Sequence, residues 1–286
     1  MSILDVDSDL DAALTRLDGD VRPRRVHAVA SCASTQTLAL GLDVDDAPHL
    51  TLVWARAQTA GRGRGGRSWV SHDDALQFSV VVRPRMPLAQ LPRLTLLTGA
   101  ALLTALRSLG VDALLKWPND VVIDVGEDVD DAPLGPFRKV AGILTDVATK
   151  GTQLERAVIG VGLNAGHVDD DLSAIGVGLA DLNSAPARVD VIAAVWTQLQ
   201  RWLQDPANDA IFEDALDVQR QHSLTLGREV HVPDDDLIGV AFDLDVDGAV
   251  KVRDAEGLVH RVVAGDVWPA QPHARYHVDA PKESAS

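Results

Sequence analysis

The sequence predicts an α+β protein followed by a small, separate all-β unit at its C-terminal end. Two patterns carry this. Over residues 26–222, short β-branched apolar runs are interspersed with segments of helical length and periodicity. After Gly227 the helical pattern stops, and short runs recur between acidic or glycine-bearing turns.

The elements follow in order. Residues 3–17 (ILDVDSDLDAALTRL) read as one short amphipathic helix. Val26–Ser31 and Leu50–Gln58 are β-rich runs. Between them Ser34–Gly41 forms a helix capped by Ser34 or Thr35. Leu76–Arg83 is a strand that stops at Pro84. Leu91–Leu109 places Leu, Ala and Thr at helical spacing and stops at Gly110. Val121–Val125, Val140–Val147 and Ala157–Leu163 are further strands, with residues 126–137 (GEDVDDAPLGPF) as a loop. Arg188–Leu203 and Ala210–Gln219 are helices. Glu229–Val232, Gly239–Val246, Ala249–Arg253 and Val259–Ala264 form an antiparallel barrel of roughly 45 residues. Its clearest turns are Asp247-Gly248 and Glu256-Gly257. Four segments result: an N-terminal extension 1–25, a main α+β portion 26–222, the barrel 223–270, and a disordered tail 271–286.

Charge and composition narrow the function. The 286 residues are 46% hydrophobic and carry a formal net charge of -16. That charge argues against a phosphate-gripping DNA surface. Cys32 is the only cysteine, so neither an internal disulfide nor a cysteine metal cluster forms, and a reducing cytoplasm is expected. No signal-peptide pattern opens the chain, and no window reaches the roughly 20 apolar residues of a membrane span.

Against this acidity, residues 58–69 (QTAGRGRGGRSW) concentrate arginine and glycine. Glycine lets backbone N–H groups approach a ligand and adopt positive φ. Arginine offers forked donors that match phosphate and carboxylate. Gly61-x-Gly63-x-x-Gly66 fits the dinucleotide fingerprint, and Gly61-x-x-x-x-Gly66-Arg67-Ser68 approaches a Walker loop. Both motifs require a helix directly afterwards, and residues 68–73 lack helical periodicity. What remains is either a basic surface loop or a mobile cationic segment suited to polyphosphate. Lys116-Trp117-Pro118-Asn119-Asp120 is either an ordinary turn before a strand or one that aims polar groups into a single space. Lys139, at the start of an apolar strand, is either solvated or held against a developing phosphate or carboxylate charge. Asn164, ending VIGVGLNAG, either caps a turn or binds a ligand.

Taken together, GRGRxGRxW, KWPND, K-x-A-G-I-L and G-x-G-x-N, in that order, resemble the biotin protein ligase family over about residues 26–270. The resemblance implies a mixed β-sheet flanked by helices, the core shared with class II synthetases and lipoate ligases, with an SH3-like barrel after it. It implies ATP-dependent biotinylation, with Mg²⁺, of a lysine on biotin carboxyl carrier protein domains through biotinyl-5′-AMP. Ser34, Thr35, Gln36 and Gln58 match the biotin-binding segment. Arg62, Gly63 and Arg64 match the loop over biotin and adenylate, with Arg64 retaining the intermediate. Arg67, Trp69, Asn119 and Asn164 match nucleotide-side groups, Trp69 packing on adenine. Asp120 matches the phosphate, metal and acceptor region, and Lys139 the lysine at the biotin carboxylate and α-phosphate. Arg64, Lys139 and Asp120 are thus the catalytic candidates; metal ligands are not identified.

Two departures stand out. Gly65 stands where some relatives carry arginine, and the acidic insertion 126–137 is long. About 25 residues precede the first core strand, too few for a winged-helix domain, so a single-function ligase without DNA binding is expected. Relatives pair through sheet edges, so a homodimer is compatible with the sequence. Competing readings are a lipoate or octanoyl ligase, a biotin-responsive repressor, and a non-catalytic nucleotide-binding module.

Overall fold

The computed structural model describes residues 2–70, 72, 74–126, 133–151 and 153–270. The expected disordered tail 271–286 lies outside the described residues, as do positions 127–132 of the insertion.

Seven strands form one mixed sheet. β1 (Arg25–Cys32) runs parallel to β2 (Thr51–Gln58). Every other pairing is antiparallel, through β3 (Leu76–Val82), β4 (Ala113–Lys116), β5 (Asp120–Asp124), β6 (Phe137–Lys150) and β7 (Gln153–Leu163). The spatial order is β1-β2-β3-β7-β6-β5-β4. Alternation of side chains across the strands gives the sheet two apolar faces. On one face Leu52, Trp54, Phe78 and Ile159 join the large core, with the Trp54 and Phe78 rings stacked at 5.7 Å. Val53, Val81 and Val158 project to the other face under α3 (Thr35–Leu40).

The large core is covered by α2 (Ser8–Arg16), α4 (Pro92–Ser108), α5 (Arg188–Leu203) and α6 (Asp209–Gln221). Leu88–Ser108 is long and apolar enough, by length and composition, to cross a membrane, contrary to the expectation from sequence. Here α4 instead packs its Leu and Ala side chains against α5, α6 and the sheet.

The N-terminal segment departs from the single helix expected. It breaks into α1 (Ile3–Val6) and α2 at Asp7, whose backbone is extended (φ -156). The Asp7 carboxylate caps α2 by accepting from the amides of Asp9 and Leu10. It also accepts from both terminal nitrogens of Arg188 and from the Trp54 indole. This buried partnership outweighs the continuity of the helical pattern.

The C-terminal unit is a five-stranded antiparallel sheet of β8 (Arg228–Val232), β9 (Leu237–Leu244), β10 (Val250–Arg253), β11 (Val259–Val262) and β12 (Trp268–Pro269), in the order β11-β10-β9-β8-β12. Asp247-Gly248 and Glu256-Gly257 turn as expected, with Gly248 at φ 89 and Gly257 at φ 84. The unit is fastened to the main sheet. The Trp117 indole donates to the Gly248 carbonyl at 3.0 Å, and the Trp117 amide donates to Thr225 Oγ1 at 3.0 Å.

Candidate functional site

Two joined clefts open on the side of the large sheet that carries the β2–β3 loop. The first encloses about 450 Å³, including space open to solvent, and the second about 1140 Å³. All thirteen residues singled out from sequence line one or both. Ser34, Thr35, Gln36, Gln58 and Arg62 line the first. Arg67, Asp120 and Asn164 line the second. Gly63, Arg64, Trp69, Asn119 and Lys139 line both.

The closed end of the first cleft is polar. Ser34 occupies the N-cap position of α3 but makes no capping bond with its side chain, contrary to the expected cap, and faces the cleft. Gln58 Oε1 accepts from the Thr35 amide at 2.7 Å and from the Thr35 hydroxyl at 3.2 Å. Ser79, fully buried, bonds to Thr35 Oγ1 at 2.9 Å and Gln36 Oε1 at 3.0 Å. The Gln36 amide donates to the carbonyls of Val158 and Leu144, so it ties α3 to β7 and β6.

The floor is made of missing side chains. Gly142 pairs with Gly162 and Leu144 with Gly160 across β6 and β7. A Cβ at Gly162 would lie 2.5 Å from Trp69 Cζ2, and one at Gly142 would lie 3.1 Å from Trp69 Cζ3. Side chains at these positions would fill the space that the indole now takes. Trp69 therefore lies flat on a glycine surface between the two clefts.

The arginine–glycine segment folds back on itself. Gly63 N donates to Arg67 O at 2.7 Å and Trp69 N to Gly61 O at 3.0 Å. Gly65 and Gly66, at φ 65 and 77, make the reversal that side-chain-bearing residues would resist. Among the described residues no helix follows before β3, which rules out both phosphate-loop motifs considered from sequence. The arginines are not left without carboxylates. Arg62 pairs with Asp146 at 2.9 Å, and Arg64 and Arg67 converge on Asp266.

KWPND forms the β4–β5 hairpin. Lys116 and Asp120 are cross-strand partners, and Trp117 turns inward to the core rather than to the cleft. Asn119 donates to the Ile143 carbonyl at 3.0 Å. Lys139 Nζ lies 2.6 Å from Asp120 Oδ1, with Lys116 Nζ 4.0 Å from Asp120 Oδ2. Lys139 also sits 5.5 Å from the centre of the Trp69 ring. Burial holds the Lys116 ammonium below its ordinary pKa, and the carboxylates of Asp120 and Asp266 offset this only in part. Asn164 donates to the carbonyls of Lys139 and Val177, so its amide is spent on clamping the loop after β7.

Sequence reasoning missed Ser79, the role of the floor glycines, and the C-terminal residues Asp266 and Trp268. The glycines were visible as motif letters, but only strand register shows that they share a face. The end of the acidic insertion also reaches the second cleft, through Pro133, Leu134 and Phe137.

Among the described residues, no group of three or more His, Cys, Asp or Glu side chains gathers as a metal cage. Asp120 is the one described carboxylate lining either cleft. That donor set suits a magnesium ion carried in largely by substrate phosphates.

Comparisons agree with this geometry. The sequence profile of the Biotin/lipoate A/B protein ligase family matches residues 28–164. The biotin--[acetyl-CoA-carboxylase] ligase of Mycobacterium tuberculosis is 32% identical over 263 residues, covering 85% of this chain and 88% of that protein. The bifunctional ligase/repressor BirA of Bacillus spizizenii is 36% identical over 141 residues, 49% of this chain and 40% of that protein. The corresponding Bacillus subtilis protein is matched over 41% of its length, so this chain spans about two fifths of these two relatives. The biotin protein ligase of Aquifex aeolicus, solved with biotin and ATP, superposes with a TM-score of 0.69 at 24% identity, covering 85% of this chain and 97% of that one. That likeness extends to the fold.

Proposed function

We propose that this chain, which belongs to the biotin/lipoate A/B protein ligase family, is a biotin protein ligase: it joins biotin to AMP at the expense of ATP and passes the biotinyl group to a lysine of a biotin carboxyl carrier protein domain of an acetyl-CoA carboxylase. The observation that carries this is the junction of the clefts. Arg64 and Lys139 line both, so two anions lying one in each cleft would meet between the same two cations.

Biotin takes the first cleft. Its ureido ring needs both donors and acceptors, and Ser34, Thr35 and Gln58 offer them at the closed end. Lipoate carries a dithiolane without such groups, so the polar end favours biotin over the lipoate alternative. ATP takes the larger cleft, with Trp69 and the apolar wall of Leu134 and Phe137 against the base.

A biotin carboxylate oxygen attacks the α-phosphorus, the bond to the β-phosphate oxygen breaks, and pyrophosphate leaves. Carboxylate and triphosphate repel each other, and Lys139, Arg64 and Arg67 offset that repulsion. Magnesium would lower the charge of the phosphates, with Asp120 as its protein ligand. Asp120 also holds Lys139 in place. The folded arginine–glycine segment covers the mixed anhydride against water. The neutral amine of the acceptor lysine then attacks the acyl carbon, an amide forms, the amine loses a proton, and AMP departs.

The direct test is mass spectrometry of a purified carrier domain after incubation with this chain, biotin and Mg-ATP. A gain of one biotin that requires ATP is expected. No gain, together with no biotin-dependent ATP–pyrophosphate exchange, refutes the proposal. Exchange driven by lipoate rather than biotin would favour the alternative. The charge of -16 supports a ligase that does not bind DNA, and a gel shift with operator-like DNA is expected to show none.

A further inference from the structure

We propose that Asp266, from the C-terminal sheet, is a positioning residue of this site: it holds Arg64 and Arg67 in the orientation that meets a polyphosphate. The kinetic part rests on the ligase function above; the structural part does not.

Asp266 belongs to the turn between β11 and β12, on a different sheet from the clefts. Arg67 Nη2 approaches its Oδ2 at 3.1 Å. Arg64 Nη1 lies 3.4 Å from its Oδ1 and donates to the neighbouring Gly265 carbonyl at 2.8 Å. Gly265 has φ 108, a conformation that side-chain-bearing residues rarely adopt, so the aim of that carbonyl depends on glycine.

A segment with Gly61, Gly63, Gly65 and Gly66 has much conformational freedom to lose when it orders. Two guanidinium groups three residues apart also repel. One carboxylate between them answers both problems before any ligand arrives. The arrangement supports the arginines instead of consuming them. A guanidinium carries five N–H donors. Among the described contacts, Arg64 spends only Nη1, and Arg67 spends Nε on the Arg64 carbonyl and Nη2 on Asp266. The remaining donors stay available to phosphate oxygens. Trp268, two residues on, stacks on Lys116 at 4.4 Å and also lines the second cleft. The C-terminal turn thus braces the nucleotide side at two points.

The test compares Asp266→Asn, Asp266→Ala and Asp266→Glu in the full chain. In biotin-dependent pyrophosphate exchange, KM for ATP should rise about tenfold in the Asn and Ala variants, the effect of losing one charge-assisted bond. At saturating ATP, kcat should stay within about threefold of the parent. Glu, which keeps the charge, should restore most of the KM. Trypsin cleavage after Arg62, Arg64 and Arg67 in the ligand-free protein should be several-fold faster for Asn and Ala than for the parent or Glu. Parental KM and parental cleavage in Asp266→Asn overturn the proposal, as does a Glu variant no better than Ala. If the parent shows no exchange while the cleavage contrast persists, the ligase function fails and the brace stands.

Discussion

Replacing Gly162 with Ala tests the glycine floor most sharply. The added methyl would stand 2.5 Å from Cζ2 and 2.7 Å from Nε1 of the Trp69 indole. Carbon atoms pack at about 3.5–4.0 Å, so the ring must retreat by roughly 1 Å or more. It has little room to slide, because Gly142 lies beneath its other edge, with the Lys139 side chain alongside. Overpacking of this kind costs about 1–3 kcal/mol. Since the ring borders the second cleft, the proposed site of ATP, that corresponds to at most about a 5- to 150-fold rise in KM for ATP in pyrophosphate exchange. Because the clash exists before any ligand binds, urea unfolding should register part of the same cost as lost stability. The decisive control is a double-mutant cycle. In a Trp69→Ala background the clash is gone, and Gly162→Ala should then cost less than about 0.5 kcal/mol. An equal penalty in both backgrounds, or parental exchange in the single variant, would refute the packing explanation.

Lys139→Ala should lower the rate of adenylate formation by about 10²–10³-fold, as expected when a preorganised charge is removed from the transition state; rapid quench with labelled ATP measures it. Lys139→Arg should not restore the rate, because a planar fork does not replace a point charge 2.6 Å from Asp120. Arg64→Gly should release biotinyl-AMP, so that bystander proteins become biotinylated; labelling confined to the carrier domain contradicts this role for Arg64. Asp7→Asn should destabilise the fold by about 3 kcal/mol at pH 7, because it removes the buried carboxylate from the largely buried Arg188 and leaves it only the more exposed Asp9. Its pH dependence has a definite sign. Burial raises the Asp7 pKa, but bonds from Arg188, the Leu10 amide and Trp54 outweigh it and hold the carboxyl below 3.8. The stabilisation is therefore complete above about pH 4 and lost as pH falls through the lowered value, so the gap between parent and variant in urea melts should narrow in acid.

Much of this protein is legible in one dimension. α5 matches its sequence boundaries at both ends, because its apolar spacing runs uninterrupted from Arg188 to Leu203. The four motifs named the arginine–glycine loop, the β4–β5 hairpin and the facing stretches of β6 and β7 that line the clefts, since glycine, arginine and proline at fixed spacing constrain the backbone locally. What sequence could not supply is whatever depends on two distant segments meeting. β4 is not legible because three apolar residues and a lysine satisfy a strand or a helix turn equally well, and only pairing with β5 decides between them. Residues 58–69 hold no carboxylate of their own, yet Asp146 and Asp266 reach the arginines from 84 and 199 or more residues away. Gly142 and Gly162 became a floor only through the β6–β7 register. Local spacing sets how a segment bends; the register of strands and the docking of the C-terminal sheet set which charges face one another, because those contacts join residues whose separation along the chain carries no signal.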